Sequence, residues 1–355
     1  MSLATHLLFE PKEGEGRIFT ERATVMLTQL LLAARLEGYA PFPYVRHMIR
    51  LGLPAAAERL SELSPVLATQ FLDVQFDSAN FDDRFLTSAW GTLTAKLRRL
   101  LTQTVIRSLT TSDFTAHDIM TSTKPYTIYF RWPERHLLAL SPLVRLLWGC
   151  LIDELIETYD QAAGRNCQPV LLLIDEAGRT AIPSLADHAT TVVGRGISLW
   201  IAVQSLYQLN AVYGRDRAHI LRDNLESQLY FRPADQETAD YLERRLGRRS
   251  DYAHSHTLHE GEETSQGLSE QGVPLLTAQQ IQQLGNEDIL LFHRHLPPIC
   301  AKRMDWRNFP ILRQRRAIPA PKLSTLPAVP VSLPPSPWQR GDRWPFASID
   351  PDEIN

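Results

Sequence analysis

The sequence predicts an α/β fold: a mainly parallel sheet with flanking helices, into which an all-α domain is inserted. Three observations predict it. First, two apolar runs of strand length, Val170-Leu171-Leu172-Leu173-Ile174 and Ser198-Leu199-Trp200-Ile201-Ala202-Val203, each end in polar residues. A continuous apolar run bounded by turn signals is what a strand buried on both faces of a parallel sheet shows. Second, strand-like and helix-like stretches alternate after residue 126, the pattern of repeated βα units. Third, strand signals are absent from Pro41 to Asp113, where the apolar spacing is helical throughout.

Taken in order, residues 1–17 are mixed and end in the polar run Lys12-Glu13-Gly14-Glu15-Gly16-Arg17. Thr20 is placed to cap a helix running to Leu36, with Ala23, Met26, Leu27, Leu30, Leu31 and Leu32 on its apolar stripe and Gly38 as its stop. Helices follow at 44–51, 54–61, 65–74 and 85–109. Tyr126-Thr127-Ile128-Tyr129-Phe130 is β-branched and aromatic, hence a strand, ended by Pro133. Ser141-Pro142 reads as a cap and first-turn proline, starting a helix to Ala163. The strand at 170–174 leads to a helix near 184–193 and then to the strand at 198–203. A helix near 216–225 and a strand at 228–232 come next. Asp235 caps a helix that ends at Gly247. Residues 248–272 are polar and read as an exposed loop. Its His254, His256 and His259 have no fixed metal-ligand spacing and read as solvated. A short helix at 276–284 and a strand at 288–293 close the domain. From Ala317 the chain is proline-rich and reads as a disordered tail; its Trp338, Trp344 and Phe346 are candidates for a short docking motif. The domain expectation is therefore residues 1–40, an all-α part at 41–113, the α/β part at 114–316 and the tail at 317–355.

Composition narrows the function classes. In 355 residues, 44% hydrophobic and 22% charged content is ordinary for a globular protein. A net charge of −3 gives no global basic field, so any nucleic-acid contact is local. Cys150, Cys167 and Cys300 are too widely spaced for a metal knuckle, and their odd number argues against a disulfide framework. The most apolar segment, Pro142 to Tyr159, carries Arg145, Asp153, Glu154 and Glu157 and is no membrane span. No secretory signal precedes it. The chain by itself thus reads as soluble or peripheral to a membrane.

The chemistry concentrates at 170–204. In parallel sheets ligands sit at the carboxyl ends of strands, so Asp175, Glu176 and Gln204 should meet at one edge. Four apolar residues before Asp-Glu form a Walker-B-like pattern. Asp175 would hold Mg²⁺ through water, and Glu176 would polarise an attacking water. A strand followed by helix-start acids gives the same pattern. Gln204 suits a sensor that bonds both water and a γ-phosphate; a satisfied strand-end amide is its other reading. Arg195, on the turn before the second strand, reads either as an arginine finger or as a solvated turn residue. No G-x-x-x-x-G-K-[ST] occurs, so the backbone cradle for phosphates is not in this sequence.

These residues resemble a known family. Ile174-Asp175-Glu176, Ile182-Pro183-Ser184-Leu185, Gly194-Arg195-Gly196-Ile197 and Val203-Gln204-Ser205-Leu206-Tyr207-Gln208-Leu209 with Tyr213-Gly214 are similar to the coupling proteins of type IV secretion in bacterial conjugation. Those are TraG/TraD-like motors of the FtsK–HerA class. Phe231-Arg232-Pro233, Leu246-Gly247, Leu290-Leu291-Phe292 and Pro297-Pro298-Ile299 extend the resemblance over roughly residues 1–310, and the all-α domain matches in position. The resemblance implies a RecA-like fold and a hexameric ATPase in the bacterial cytoplasm, peripheral to the inner membrane. It implies ATP and Mg²⁺ as cofactors, and a role in recruiting single-stranded DNA with its relaxase and driving it into a secretion channel. Asp175 would then serve Mg²⁺, Glu176 would activate water, Gln204 would sense the γ-phosphate, and Arg195 would stand near the finger position. Residues 1–40 would begin the nucleotide-binding part. Family members also carry amino-terminal transmembrane helices and a Walker A motif, which this sequence lacks. It reads as the carboxyl-terminal two-thirds of such a protein: a fragment, a chain whose phosphate loop comes from a separate polypeptide, or a non-catalytic binding module or remnant that recruits conjugation substrates.

Overall fold

The computed structural model describes residues 2–9, 16–109, 112–132, 134–179, 181–259 and 262–319. The proline-rich tail from residue 320 lies outside them. The described residues form two compact units. The first takes in those within 1–115 and 127–150, and the second those within 116–126 and 151–323.

The first unit is helical: α1 (Ser2–Leu8), α2 (Arg17–Leu36), α3 (Pro41–Leu51), α4 (Leu53–Leu63), α5 (Pro65–Leu72), α6 (Arg84–Leu100) and α7 (Gln103–Ser108). Prolines at 41, 54 and 65 sit in first turns, where an amide proton has no helical acceptor to lose. Gly38 and Gly52 take positive φ, +74° and +91°, at the α2–α3 and α3–α4 junctions. The Asp83 carboxylate accepts the Leu86 amide at 2.8 Å and fixes the start of α6. α2 begins at Arg17, a turn before Thr20. It is the hub: Met26, Leu27 and Leu30 are fully buried, and α1, α3, α5 and α6 pack on it. A partly buried polar cluster borders this core. The Tyr44 hydroxyl donates to Glu37 at 2.7 Å, and Arg59 pairs with the same carboxylate and with Glu62. Burial pushes the Tyr44 phenol above its usual range.

α8 (Ala116–Thr121) belongs to the second unit. Tyr126–Phe130, expected as a strand, pairs with nothing among the described residues and is not one. Its composition favours extended backbone, but a strand exists only through a ladder partner. α9 runs Leu137–Gln161, so Pro142 lies inside a longer helix rather than in its first turn.

The second unit supplies the sheets. β1 (Val170–Ile174) pairs in parallel with β2 (Ile197–Ile201), Val170 against Ile197 through Ile174 against Ile201. Between them lie α10 (Leu185–Thr191) and a 3-10 turn at Val193–Arg195. α11 (Leu206–Tyr213) and α12 (Arg215–Asp223) follow β2. β3 (Ser227–Tyr230) does not extend the parallel pair. It runs antiparallel to β6 (Asp288–His293), which also pairs with β7 (Ile299–Lys302). α13 (Gln236–Leu246) starts at its Asp235 cap, as expected, and ends at Gly247, φ +84°. Residues 248–272, expected as a loop, form the hairpin of β4 (Arg248–His259) and β5 (Glu262–Pro274). The side chains of His254, His256 and His259 lie outside the described ones. α14 (Ala278–Gln282) carries a Thr277–Gln280 capping box, and α15 (Pro310–Arg316) ends the described chain.

The mixed α/β class stands, but among the described residues only β1 and β2 pair in parallel, and they differ from the sequence expectation in burial too. β1 and β2 are buried on one face only. Leu172, Ile174 and Ile197 are buried, while Leu171, Leu173 and Trp200 are 56%, 57% and 62% exposed.

Candidate active site

β1 and β2 are parallel, so their carboxyl ends share one edge. The ladder continues past the strands there: the Ala202 amide donates to the Ile174 carbonyl at 3.0 Å, and the Ala177 amide to the Ala202 carbonyl at 2.9 Å. Asp175 and Glu176 leave β1 in a turn at this edge, and Gln204 follows β2 at the same edge. All three are exposed. The structure thus places the acidic pair and the glutamine at one edge.

Glu176 occupies left-handed backbone, φ +55°, which costs a non-glycine residue about 1 kcal/mol. Its carbonyl accepts the Arg179 amide at 2.9 Å, and its carboxylate is 2.9 Å from the Arg179 guanidinium. The turn is therefore closed by backbone and side chain together. Asp175 makes no hydrogen bond or ion pair among the described residues.

Gln204 is set by its own helix. Ser205 caps α11 by accepting the Gln208 amide at 3.1 Å, and Gln208 Oε1 accepts the Gln204 amide at 3.2 Å. That side chain crosses to the Asp-Glu turn: a Cβ on Gly178 would overlap it. Gly178 is needed there for close approach, not for φ. α11 is anchored at both ends. The Thr238 hydroxyl accepts the Leu206 amide at 3.2 Å, and the Tyr213 hydroxyl accepts the Ile182 amide at 3.2 Å. Burial pushes the Tyr213 phenol up to about 12.

Arg195 is elsewhere. It precedes β2 and so lies at the amino edge of the pair. At ~3.3 Å per residue, the strand puts it roughly 15 Å from the acidic edge. Its Nε and Nη2 donate to the two Asp160 carboxylate oxygens at 2.8 and 2.9 Å, and its Nη1 to the Thr191 carbonyl at 3.2 Å. This bidentate pair holds the Asp160 carboxyl below its usual range, first through the hydrogen bond. Arg195 is a tie between α9 and the end of α10, and in this chain it does not meet Glu176.

Sequence reading missed Arg179, Gly178 and Gln208. A basic residue three positions after the glutamate was the available signal for the first. The other two meet only through the fold.

An exposed, unengaged carboxylate at a strand end suits Mg²⁺, which keeps several waters and takes one or two carboxylates. Among the described residues no group of three or more His, Cys, Asp or Glu converges. The edge fits the metal and water-activating half of a nucleotide site, and the phosphate cradle is not part of this sequence.

The fold defines a class: RecA-like, mixed α/β domains. Within it, the chain belongs to the family described as Type IV secretory system Conjugative DNA transfer, which matches residues 70–326. It is 26% identical over 257 residues to protein VirD4 of Rhizobium radiobacter, covering 69% of this chain and 37% of that protein. It is 26% identical over 251 residues to the conjugal transfer protein TraG of Escherichia coli, covering 62% and 38%. The chain thus spans less than two-fifths of the curated relatives it matches. Its fold is that of the bacterial conjugative coupling protein TrwB, with a TM-score of 0.66 at 17% identity, covering 85% of this chain and 67% of that one. TrwB has also been solved with ADP and Mg²⁺, with a TM-score of 0.63 at 19% identity and the same coverage. Among the described residues no helix is long and apolar enough to cross a membrane.

Proposed function

We propose that this chain is the hydrolytic and substrate-recruiting part of a conjugative coupling motor, acting with a phosphate-binding loop supplied from outside residues 1–355. The reading has it help recruit a relaxase with single-stranded DNA and drive their ATP-dependent transfer into a type IV secretion channel, as an oligomer, hexameric by resemblance, at the cytoplasmic side of the inner membrane. What supports it is that Asp175, Glu176 and Gln204 all follow the carboxyl ends of one parallel strand pair. In this reading Asp175 positions hydrated Mg²⁺, Glu176 accepts the proton of the attacking water, and Gln204 orients that water. Mg²⁺, when bound, neutralises charge on the phosphates. The TrwB complexes with ADP and Mg²⁺ support the cofactor assignment by likeness of fold.

The test is nucleotide handling with and without a P-loop polypeptide. The lone chain should bind ATP weakly in calorimetry, and hydrolysis should appear only when the second polypeptide is added. Glu176→Gln should abolish that hydrolysis. Micromolar ATP binding by the lone chain would sink the shared-site reading. A second reading is favoured by the Glu176–Arg179 pair, which engages the proposed base: a non-catalytic module that recruits conjugation substrates. It requires that Glu176→Gln leave transfer in a conjugation assay unchanged.

A further inference from the structure

After β7 the chain enters a segment that the second unit leaves in solvent. Residues 303–319 form a 3-10 turn at Trp306–Asn308 and then α15. Met304, Trp306, Phe309, Ile311 and Ile318 are 65%, 45%, 41%, 56% and 70% exposed. A single exposed apolar side chain is ordinary. Five large ones within fifteen positions make a patch, and exposed apolar patches mark binding surfaces.

Charge is concentrated in the same segment. It holds five arginines and one acid, Asp305, in a chain of net charge −3. Asp305 is already engaged: Arg307 Nε and Nη2 donate to its Oδ2 at 2.9 and 2.6 Å. Arg303 donates to Glu287 at 3.0 Å. Arg313, Arg315 and Arg316 are exposed and make no hydrogen bond or ion pair among the described residues. The dipole of α15 favours a cation in its last turn, but it amounts to about half a charge. It accounts neither for three arginines nor for the apolar side chains beside them.

The mixture of side chains points to one occupant. Single-stranded nucleic acid offers phosphates to arginine and bases to Trp306 and Phe309, but no apolar volume for Met304, Ile311 and Ile318. A protein interface separates an apolar core from a polar rim, whereas here Ile311 stands two and four positions from Arg313 and Arg315. A bilayer surface accepts both at once. Aromatic and aliphatic groups enter the boundary between headgroups and acyl chains, and arginine stems lie along it while their guanidiniums reach lipid phosphates.

We propose that residues 303–318 are a docking surface for an anionic lipid bilayer, held by Arg313, Arg315 and Arg316 at the phosphates and by the apolar side chains beneath them. The surface deepens the proposed placement at the inner membrane, and it does not involve the nucleotide edge. Loss of hydrolysis with membrane binding intact would fail the motor reading alone, and the reverse would fail this one alone.

The test is flotation of the full chain with vesicles in a density gradient at physiological salt, in which aggregated protein does not rise. Vesicles of phosphatidylglycerol and phosphatidylcholine in equal parts should carry the chain upward, and pure phosphatidylcholine should not. Arg313→Gln, Arg315→Gln and Arg316→Gln combined should weaken binding roughly a hundredfold, from about fivefold per basic residue. Lysine at the same three positions should keep most of the binding. Ile311→Ser with Ile318→Ser should weaken it roughly tenfold through lost apolar burial. All five side chains are exposed, so melting curves of the variants should overlay the parent. The proposal is overturned if the chain does not float with the anionic vesicles, floats equally with both kinds, or floats equally as parent and glutamine variant. It is also overturned if oligo-dT binds more tightly than the vesicles and is what the glutamine variant loses, or if the isoleucine variant abolishes a self-association of the parent instead of its flotation.

Discussion

The carboxylate of Glu176 lies 2.9 Å from the guanidinium of Arg179, three residues later in the same turn. The residue proposed to activate water is thus engaged by a cation in the structure. Both side chains are substantially exposed, and ion pairs of that kind contribute about 0–1 kcal/mol. The contact therefore adds little to the stability of the turn. Arg179→Gln should change unfolding free energy by less than about 1 kcal/mol in urea titrations. A larger loss would make Arg179 a structural element of the turn.

Gly178 and Gln208 are coupled through space. Gly178→Ala should push the Gln208 side chain aside and release the Gln204 amide, costing about 1 kcal/mol for an overpacked but flexible neighbour. Gln208→Ala should remove most of that cost. The measurement is a double-mutant cycle on stability. Strict additivity would mean the two residues do not meet.

Tyr213 should make the chain sensitive to alkali. Its phenol is raised from 10.0 to about 12 by burial. A raised folded value means that its stabilising contribution is complete below the unfolded value and is lost as pH rises through the folded one. Stability should therefore fall between pH 10 and about pH 12. Tyr213→Phe should remove that part of the decline. At neutral pH the same variant should cost about 1–3 kcal/mol, because the Ile182 amide loses its acceptor. Denaturation at several pH values checks both.

Asp160 should act at the other end of the scale. Its hydrogen bonds from Arg195 lower its folded pKa, so the contribution is present above the unfolded carboxylate range and disappears as pH falls through the folded value. Asp160→Asn should be less stable than the parent at neutral pH and should converge with it in acid. Arg195→Ala should mirror that pH profile. An Arg195 variant of unaltered stability and lost hydrolysis would place this arginine in a neighbour's site instead.

Much of this architecture was legible in the residues. Val170–Ile174 and the run around Trp200 announce strands because both are apolar and end in polar residues. Prolines in first turns and glycines beyond last turns marked the helices. The acidic edge followed from strand direction alone. What escaped depends on partners distant in sequence. The β4–β5 hairpin is polar along both strands, so no alternation betrayed it, and backbone pairing alone defines it. Tyr126–Phe130 has the composition of a strand but no ladder partner. Arg195 looked available until the fold brought Asp160, thirty-five positions earlier, against it. Pro142 looked like a helix start because a proline inside a helix is costly, yet α9 runs through it.

The parallel pair has a dynamic consequence. Among the described residues β1 and β2 bond only to each other, so each strand presents one unbonded rim, and one face holds Leu171, Leu173 and Trp200 in solvent. Such a ribbon has little cooperative support against local opening. Its amides should exchange with deuterium far sooner than those of α2, whose apolar stripe is sealed. The acidic edge is thus mounted on a soft part of the molecule, and its stiffness must be borrowed. Whatever closes over that face would slow exchange at Leu172 and Leu199 before any chemistry begins.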